Sequence, residues 1–276
     1  MTGCCFDEKK SNDGLTPYEV SQAVKSAKSA AGYVENLEFI GYDCCLMQVQ
    51  DIAGLNSEYA NYQVASEESE WGYGWTYDKW IKDLYQKKST TAILDSIVNS
   101  FRDETEATYA QWQIQYPSEN IVNDQTLSYL NLNAWGEYET AWEDMSSTLS
   151  GIITSSSKWN TFGNLLKTCQ RFGLTQVDYW GTTDYAYDVF DTKDFFAKIK
   201  NSSTYNSNST LMSKINTCES ALSNLISYSW NGSGSPDAHG VTMFAPVSGY
   251  SSESDYGSTA TTLSTWRAIC SSYGNW

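Results

Sequence analysis

Apolar residues recur at helical spacing just inside the chain, where Val20, Ala23, Val24, Ala27 and Ala31 share one face. Thr16, Pro17 and Glu19 supply a cap, a first-turn proline and a capping box, and Gly32 ends the run. The short apolar run Leu37-Glu38-Phe39-Ile40-Gly41-Tyr42 reads as a strand that leads straight into Asp43-Cys44-Cys45-Leu46-Met47, with helical spacing to about Asn56. A second strand, Tyr62-Gln63-Val64-Ala65, runs into Ser66-Glu67-Glu68. Strand, helix and strand in that order predict a parallel sheet, and such sheets collect functional groups beyond the carboxyl ends of their strands. Asp43–Cys45 and Ser66–Glu68 both fall at such ends.

Further on, Gly72 to Trp75 reads as a turn, and helical spacing resumes at Asp78 through Trp80, Ile81 and Leu84 and again through Ile93, Leu94, Ile97, Val98 and Phe101. Residues near 127–172 also carry helical patterning, broken at Thr154–Ser157. Asp188–Phe196 precedes a helix over 211–228. The polar turn Asn231–Pro236 then leads into a strand at 240–246, and a last helix carries Leu263, Trp266 and Ile269. The Ser/Asn-rich stretches 201–210 and 248–258 read as surface loops.

The 276 residues are 41% apolar and 18% charged, which supports a packed core and excludes wholesale disorder. No run approaches the roughly 18 apolar residues of a membrane-spanning helix. A net charge of −16 argues against phosphate backbones and anionic membranes. It suits a basic substrate, although an acidic surface also serves plain solubility. One histidine, His239, and seven cysteines of which none forms a CxxC pair argue strongly against a structural zinc site. An odd number of cysteines leaves at least one free thiol.

Cys45 is the candidate with chemistry. A thiol where a parallel strand ends and a helix begins would feel the positive end of that helix, and it is the thiolate that attacks. Cys44 fits that role equally well on chemistry alone. In extended geometry Asp43 and Cys45 share a face, so the carboxylate could hold a cationic substrate side chain. The plainer alternative makes Cys45 a buried apolar thiol and Asp43 a helix cap.

The surrounding residues favour the first reading. Asp43-Cys44-Cys45-Leu46-Met47, Ala65-Ser66-Glu67-Glu68 and Gly72-Tyr73-Gly74-Trp75-Thr76-Tyr77 resemble the D-x-C-L-M, A-S-E-E and P-G-x-G-W-x-Y motifs of the clostripain family of cysteine peptidases. Thr126-Leu127-Ser128, Tyr187–Asp191 with Phe195, His239–Pro246, and Trp266 with Tyr273 are similar to later elements of that family in the same order. The resemblance implies Cys45 as nucleophile and Asp43 in the pocket for an arginine or lysine P1 side chain, where a carboxylate offers bidentate hydrogen bonds to a guanidinium. It also implies an α/β fold of caspase type, a mostly parallel central sheet flanked by helices. On this reading residues 1–125 form the nucleophile-bearing part, and 126–276 form a helical C-terminal extension with a strand returning near 240–246.

In the family the catalytic base is a His-Gly upstream of the nucleophile, about 50 residues away in the related caspases. Counting back that far from Cys45 runs off the front of the sequence. The expectation is therefore a chain lacking the segment with the base, the oxyanion-hole glycine and the first strands, and inactive alone. Acid–base assistance is worth about 10²–10⁴-fold and an oxyanion donor roughly another 10²–10³-fold. His239 matches a different family element and reads as structural. The alternative function is a non-catalytic, peptide-binding pseudo-peptidase.

Expected partners are peptides or proteins with basic P1 residues and a separate N-terminal light chain, with no nucleic acid and no membrane. Lys9-Lys10-Ser11-Asn12-Asp13 lies in a loop suited to self-processing, or to a plain solvated charge run. No cofactor is expected. Calcium stimulates some clostripain-like enzymes, but no EF-hand pattern is present. Export from a bacterial cell is implied by the resemblance. The eleven tryptophans and twenty tyrosines could stack sugars, but at core spacing in helices they read as packing.

Overall fold

The computed structural model describes residues 5–7, 13–173, 189–245 and 263–273. It opens with an antiparallel hairpin of β1 (Cys5–Asp7) and β2 (Asp13–Leu15). Helix α1 (Pro17–Ala30) follows, and its capping box forms as the sequence indicates. The Thr16 hydroxyl accepts from the Glu19 amide at 3.2 Å, and a Glu19 carboxylate oxygen accepts from the Thr16 amide at 2.9 Å. Next come β3 (Ile40–Gly41), α2 (Gln50–Ser57), β4 (Tyr62–Ala65), α3 (Tyr77–Tyr85) and the long α4 (Thr90–Gln115). Strand β5 (Thr126–Asn131) passes through one 3₁₀ turn into α5 (Trp135–Ile152) and α6 (Ser156–Leu166). The chain continues with β6 (Val189–Asp191), α7 (Thr192–Asn201), α8 (Ser209–Leu225), β7 (Ile226–Asn231), β8 (Thr242–Phe244) and α9 (Ser264–Tyr273).

The central sheet has the order β3-β4-β5-β7. Strands β3 and β4 are parallel, as the crossover through α2 requires, with Ile40 opposite Gln63 and Gly41 opposite Val64. The pairs β4–β5 and β5–β7 are antiparallel. The α/β class stands, but a mostly parallel sheet does not: among the described strands its pairings are mostly antiparallel. The reason lies in β5. Residues 126–130 are buried on both faces of the sheet, so their apolar run carries no alternation and merges with the helical pattern that follows. The helical reading near 127 is corrected to a strand. Helix α8 likewise stops at Leu225, and the alternation Ile226, Tyr228, Trp230 makes β7 where a helix to 228 was expected. The sheet takes two strands from each side of residue 125. Strand β8 pairs with β6 in a separate two-stranded sheet.

Helices cover both faces of the sheet. On one, Trp75, Trp80 and the α4 residues Ile93, Leu94, Ile97, Val98 and Phe101 pack on Val64, Leu127 and Tyr129. On the other, α5 through α9 gather around Trp142, whose ring meets Trp266 at 5.2 Å and Phe196 at 5.7 Å between centroids. Most of the aromatic residues are thus spent on packing. The loop holding Lys9 and Lys10, the Tyr187-Asp188 pair, Pro246 and the 248–258 loop lie outside the described residues. Among the described residues, no helix is long and apolar enough to cross a membrane.

Candidate active site

Beyond β3 the chain keeps parallel company with the segment after β4. The Tyr42 amide donates to Val64 O at 3.0 Å, the Leu46 amide to Glu68 O at 3.1 Å and the Gln48 amide to Ser66 O at 2.9 Å. These bonds hold residues 42–48 as extended chain broken by a turn at Cys45-Leu46, and α2 begins only at Gln50. The expectation that Cys45 opens a helix is therefore corrected. Its amide neighbours are committed to the adjacent segment, and no helix end lies at the sulfur. Leu46 sits at φ 62°, a left-handed conformation that costs a branched residue about 1–2 kcal/mol. Such a cost persists only where the surroundings enforce it. Here the Leu46 side chain is buried at 1% exposure while Cys44 and Cys45 stay partly exposed.

The segment that receives these bonds is itself pinned from β5. The Thr126 hydroxyl accepts from the amides of Glu67 at 2.9 Å and Glu68 at 3.1 Å, and meets the Ser66 hydroxyl at 3.0 Å. Gln125 accepts from the Trp71 amide at 2.8 Å and donates to Ser69 O at 2.7 Å. The Glu68 carboxyl accepts from the amides of Ser69 and Gly173, each at 2.7 Å, and burial pushes it up to about 7. The motif Ala65-Ser66-Glu67-Glu68 is therefore a strap under the cysteine turn.

Asp43 and Cys45 meet at Glu70. The Cys45 thiol lies 3.9 Å from Glu70 O. Asp43 Oδ2 accepts from the Trp75 amide at 3.2 Å and from the Tyr77 hydroxyl at 2.9 Å. Gly74, at φ +65°, lets the backbone press against that carboxylate, since a Cβ there would stand 2.9 Å from Oδ2. The Trp75 indole N–H donates to Glu70 Oε1 at 3.3 Å, and burial, then the side-chain hydrogen bond with Asp43 and its charge, pushes the Glu70 carboxyl up to about 9. Burial and the bond to Asp43 push the Tyr77 phenol up to about 12. A cavity of about 380 Å³ opens beside this loop against Tyr73, Trp75 and Tyr77, and neither Asp43 nor Cys45 is among its lining residues.

His239 belongs to a second polar centre. Its ring Nδ1 lies 3.0 Å from Asp191 Oδ1, and its amide donates to Asp191 Oδ2 at 2.7 Å. That bond raises the imidazole above its ordinary range. Asp191 is fully buried and also caps α7 through the Asp194 amide at 2.6 Å. The Gly240 amide donates to Glu67 Oε2 at 2.8 Å, and burial, with the Asp191 charge beside it, pushes Glu67 well up. No hydrogen bond joins the imidazole to Cys45 among the described residues. Among the described thiols, Cys169, Cys218 and Cys270 are buried, Cys169 and Cys218 are pushed up by that burial, and Cys44 and Cys45 are partly exposed. Among the described residues, no group of three His, Cys, Asp or Glu side chains is placed to hold a metal ion.

Sequence reasoning selected Asp43 and Cys45, and the structure places them on one loop. It left Glu70, Trp75 and Tyr77 without roles, although two of them stand in the Gly-x-Gly-Trp-x-Tyr motif. The signal for Glu70 was an acid three residues beyond the strap glutamate Glu67, too common a feature to single out.

Comparison with known proteins bears on what this arrangement does. The model of the clostripain family, Peptidase_C11, matches residues 1–268. Comparison with curated protein sequences gave no match. Among solved structures, a clostripain from Bacteroides thetaiotaomicron ATCC 29148 in complex with the peptide inhibitor BTN-VLTK-AOMK is similar at TM-score 0.59 and 16% identity, over 89% of this chain and 92% of that one. A secreted C11 cysteine protease from the same species, "iotapain", gives 0.58 and 16%, over 91% of this chain and 61% of the other. An inactive zymogen C11 protease from Parabacteroides distasonis gives 0.52 and 15%, over 85% and 61%.

Proposed function

The chain belongs to the clostripain family, whose members are cysteine proteases, and on that premise we propose that it is a cysteine endopeptidase cleaving after arginine or lysine. Cys45 is the nucleophile and Asp43 the acid that holds the basic P1 side chain. The observation that carries this reading is the convergence of the two on Glu70, with Asp43 fixed by Trp75 and Tyr77 beside a half-exposed thiol. An ion pair with directed hydrogen bonds favours guanidinium or ammonium over any neutral side chain. A lysine as the last letter of the peptide in the inhibitor bound to the B. thetaiotaomicron clostripain supports the same preference. Secretion is proposed on the strength of the secreted relative.

On this reading His239 is not the base, since among the described residues its ring is hydrogen-bonded to Asp191 and not to Cys45. The absence of a His239–Cys45 hydrogen bond among the described residues favours a second reading, a protein that binds basic peptides without cleaving them. Labelling with a lysyl-directed thiol-reactive probe tests the first. The wild type and Cys44→Ala are expected to label and Cys45→Ala to remain unlabelled. Label on Cys44, or equal labelling by a probe with a neutral P1 side chain, refutes the assignment. Probe-competent Cys45 without hydrolysis of an arginyl or lysyl peptide decides for the binding protein.

A further inference from the structure

One residue, Trp75, ties two carboxyl groups together: its backbone amide donates to Asp43 and its indole N–H to Glu70. The second oxygen of Glu70, Oε2, is buried and has no donor. The polar groups facing the pair are the Tyr77 hydroxyl on Asp43 and, at longer range, the Tyr73 phenol of the glycine loop. Among the described residues no lysine, arginine or histidine forms an ion pair with either carboxyl. Two carboxylates placed this closely cannot both stay ionised without a positive charge beside them. A shared proton meets that need, and so does a cation.

Resting on the P1 pocket proposed above, we propose that Glu70 is a specificity-determining residue. Its carboxyl and that of Asp43 form one proton-sharing pair that receives the cationic head of the P1 side chain and releases its proton to solvent as the head group enters. Before binding, the Glu70 carboxyl holds the proton of the pair. After binding that proton is gone and the ammonium or guanidinium lies against the pair, so the proton lost to buffer balances the charge brought in. The high proton affinity of Glu70 in the empty site agrees with this order. A pocket of this kind discriminates by charge more sharply than a single carboxylate would. A neutral P1 side chain cannot displace the proton and leaves the pair as it was.

Titration calorimetry of the whole chain tests the inference. The ligands are a tetrapeptide with a C-terminal arginine and its citrulline counterpart, each at pH 7.5 in two buffers of different ionisation enthalpy. About one proton is expected to be released per arginyl peptide bound, and none for the citrullinyl peptide. In Glu70→Gln the release is expected to vanish and the preference for arginine over citrulline to fall by about tenfold. Arginine preference without proton release overturns the shared pair while leaving the P1 pocket intact. An unchanged preference in Glu70→Gln also overturns it. Loss of the preference in the wild type itself overturns the pocket, and the pair with it.

Discussion

Replacing Gly74 by alanine probes the proposed P1 pocket without touching Cys45, the proposed nucleophile. Two effects combine. At φ +65° an alanine is strained by about 1–2 kcal/mol. Its Cβ would also stand 2.9 Å from Asp43 Oδ2 and 3.0 Å from Oδ1. Comfortable carbon–oxygen contact begins near about 3.3 Å, so the carboxylate must recede by about 0.4 Å. The Trp75 amide bond, already 3.2 Å long, then passes beyond useful hydrogen-bond range, and the Tyr77 bond at 2.9 Å stretches toward its limit. A bond to a charged group is worth about 1.5–3 kcal/mol, so loss of one misplaces the acid at a cost near a factor of ten or more. Labelling of Cys45 by a lysyl-directed probe is expected to slow by about tenfold. Labelling by iodoacetamide, which needs no P1 pocket, is expected to stay within about threefold. Gly72→Ala serves as the control, because nothing lies within 4 Å of a Cβ there. If Gly74→Ala reacts with the lysyl probe at the wild-type rate, Asp43 is not the group that positions the P1 side chain.

Three further outcomes are expected. The Glu68 carboxyl rests near 7 in the folded chain against an ordinary value of 4.5, so the folded state keeps a proton that the unfolded state releases in between. Stability therefore falls as pH rises through that window, by up to about 3 kcal/mol from this group. Urea titrations should give higher stability at pH 5 than at pH 8 and a weaker dependence in Glu68→Gln; a Glu68→Gln profile as steep as the wild type's would contradict the assignment. Trp266→Ala removes a ring that packs on Trp142, Phe162 and Phe195 and leaves Phe244 O without its 2.8 Å donor, a loss of about 3–5 kcal/mol in thermal or chemical melts. A loss under about 1 kcal/mol would place that helix outside the core. Mass spectrometry after brief alkylation of the native protein should find Cys44 and Cys45 modified and Cys169 and Cys218 intact, because burial holds the latter two protonated. Early modification of Cys218 would count against the packing of α8.

The helices were largely legible because their signals are local. Thr16, Pro17 and Glu19 specify the start of α1 by chemistry within one turn, and the structure reproduces it bond for bond. Strand β5 was not legible. Its residues are apolar on both faces, and only pairing with β4 and β7, distant in sequence, distinguishes it from the helix it leads into. The cysteine turn failed for a related reason. The spacing after Cys45 suits a helix, but Leu46 and Gln48 give their amides to residues 66–68, a choice made by tertiary structure. Asp43 could be found because it stands two residues from a cysteine at a strand end. Glu70 could not, because its meaning comes from the Trp75 indole and from the Asp43 charge, which meet it only in three dimensions.

The position of β5 between β4 and β7 also governs how this protein must be made. As it leaves the ribosome, the segment with Cys44 and Cys45 emerges with one side of β4 uncovered. That side is closed only when Asn131 has appeared, and the far side of β5 waits a further hundred or so residues for β7. Open strand edges recruit other chains, and pairings this distant in sequence form slowly. A product ending near residue 125 would therefore associate with its own kind rather than fold. Premature termination or proteolytic nicking before β7 should yield insoluble material, not a smaller working unit.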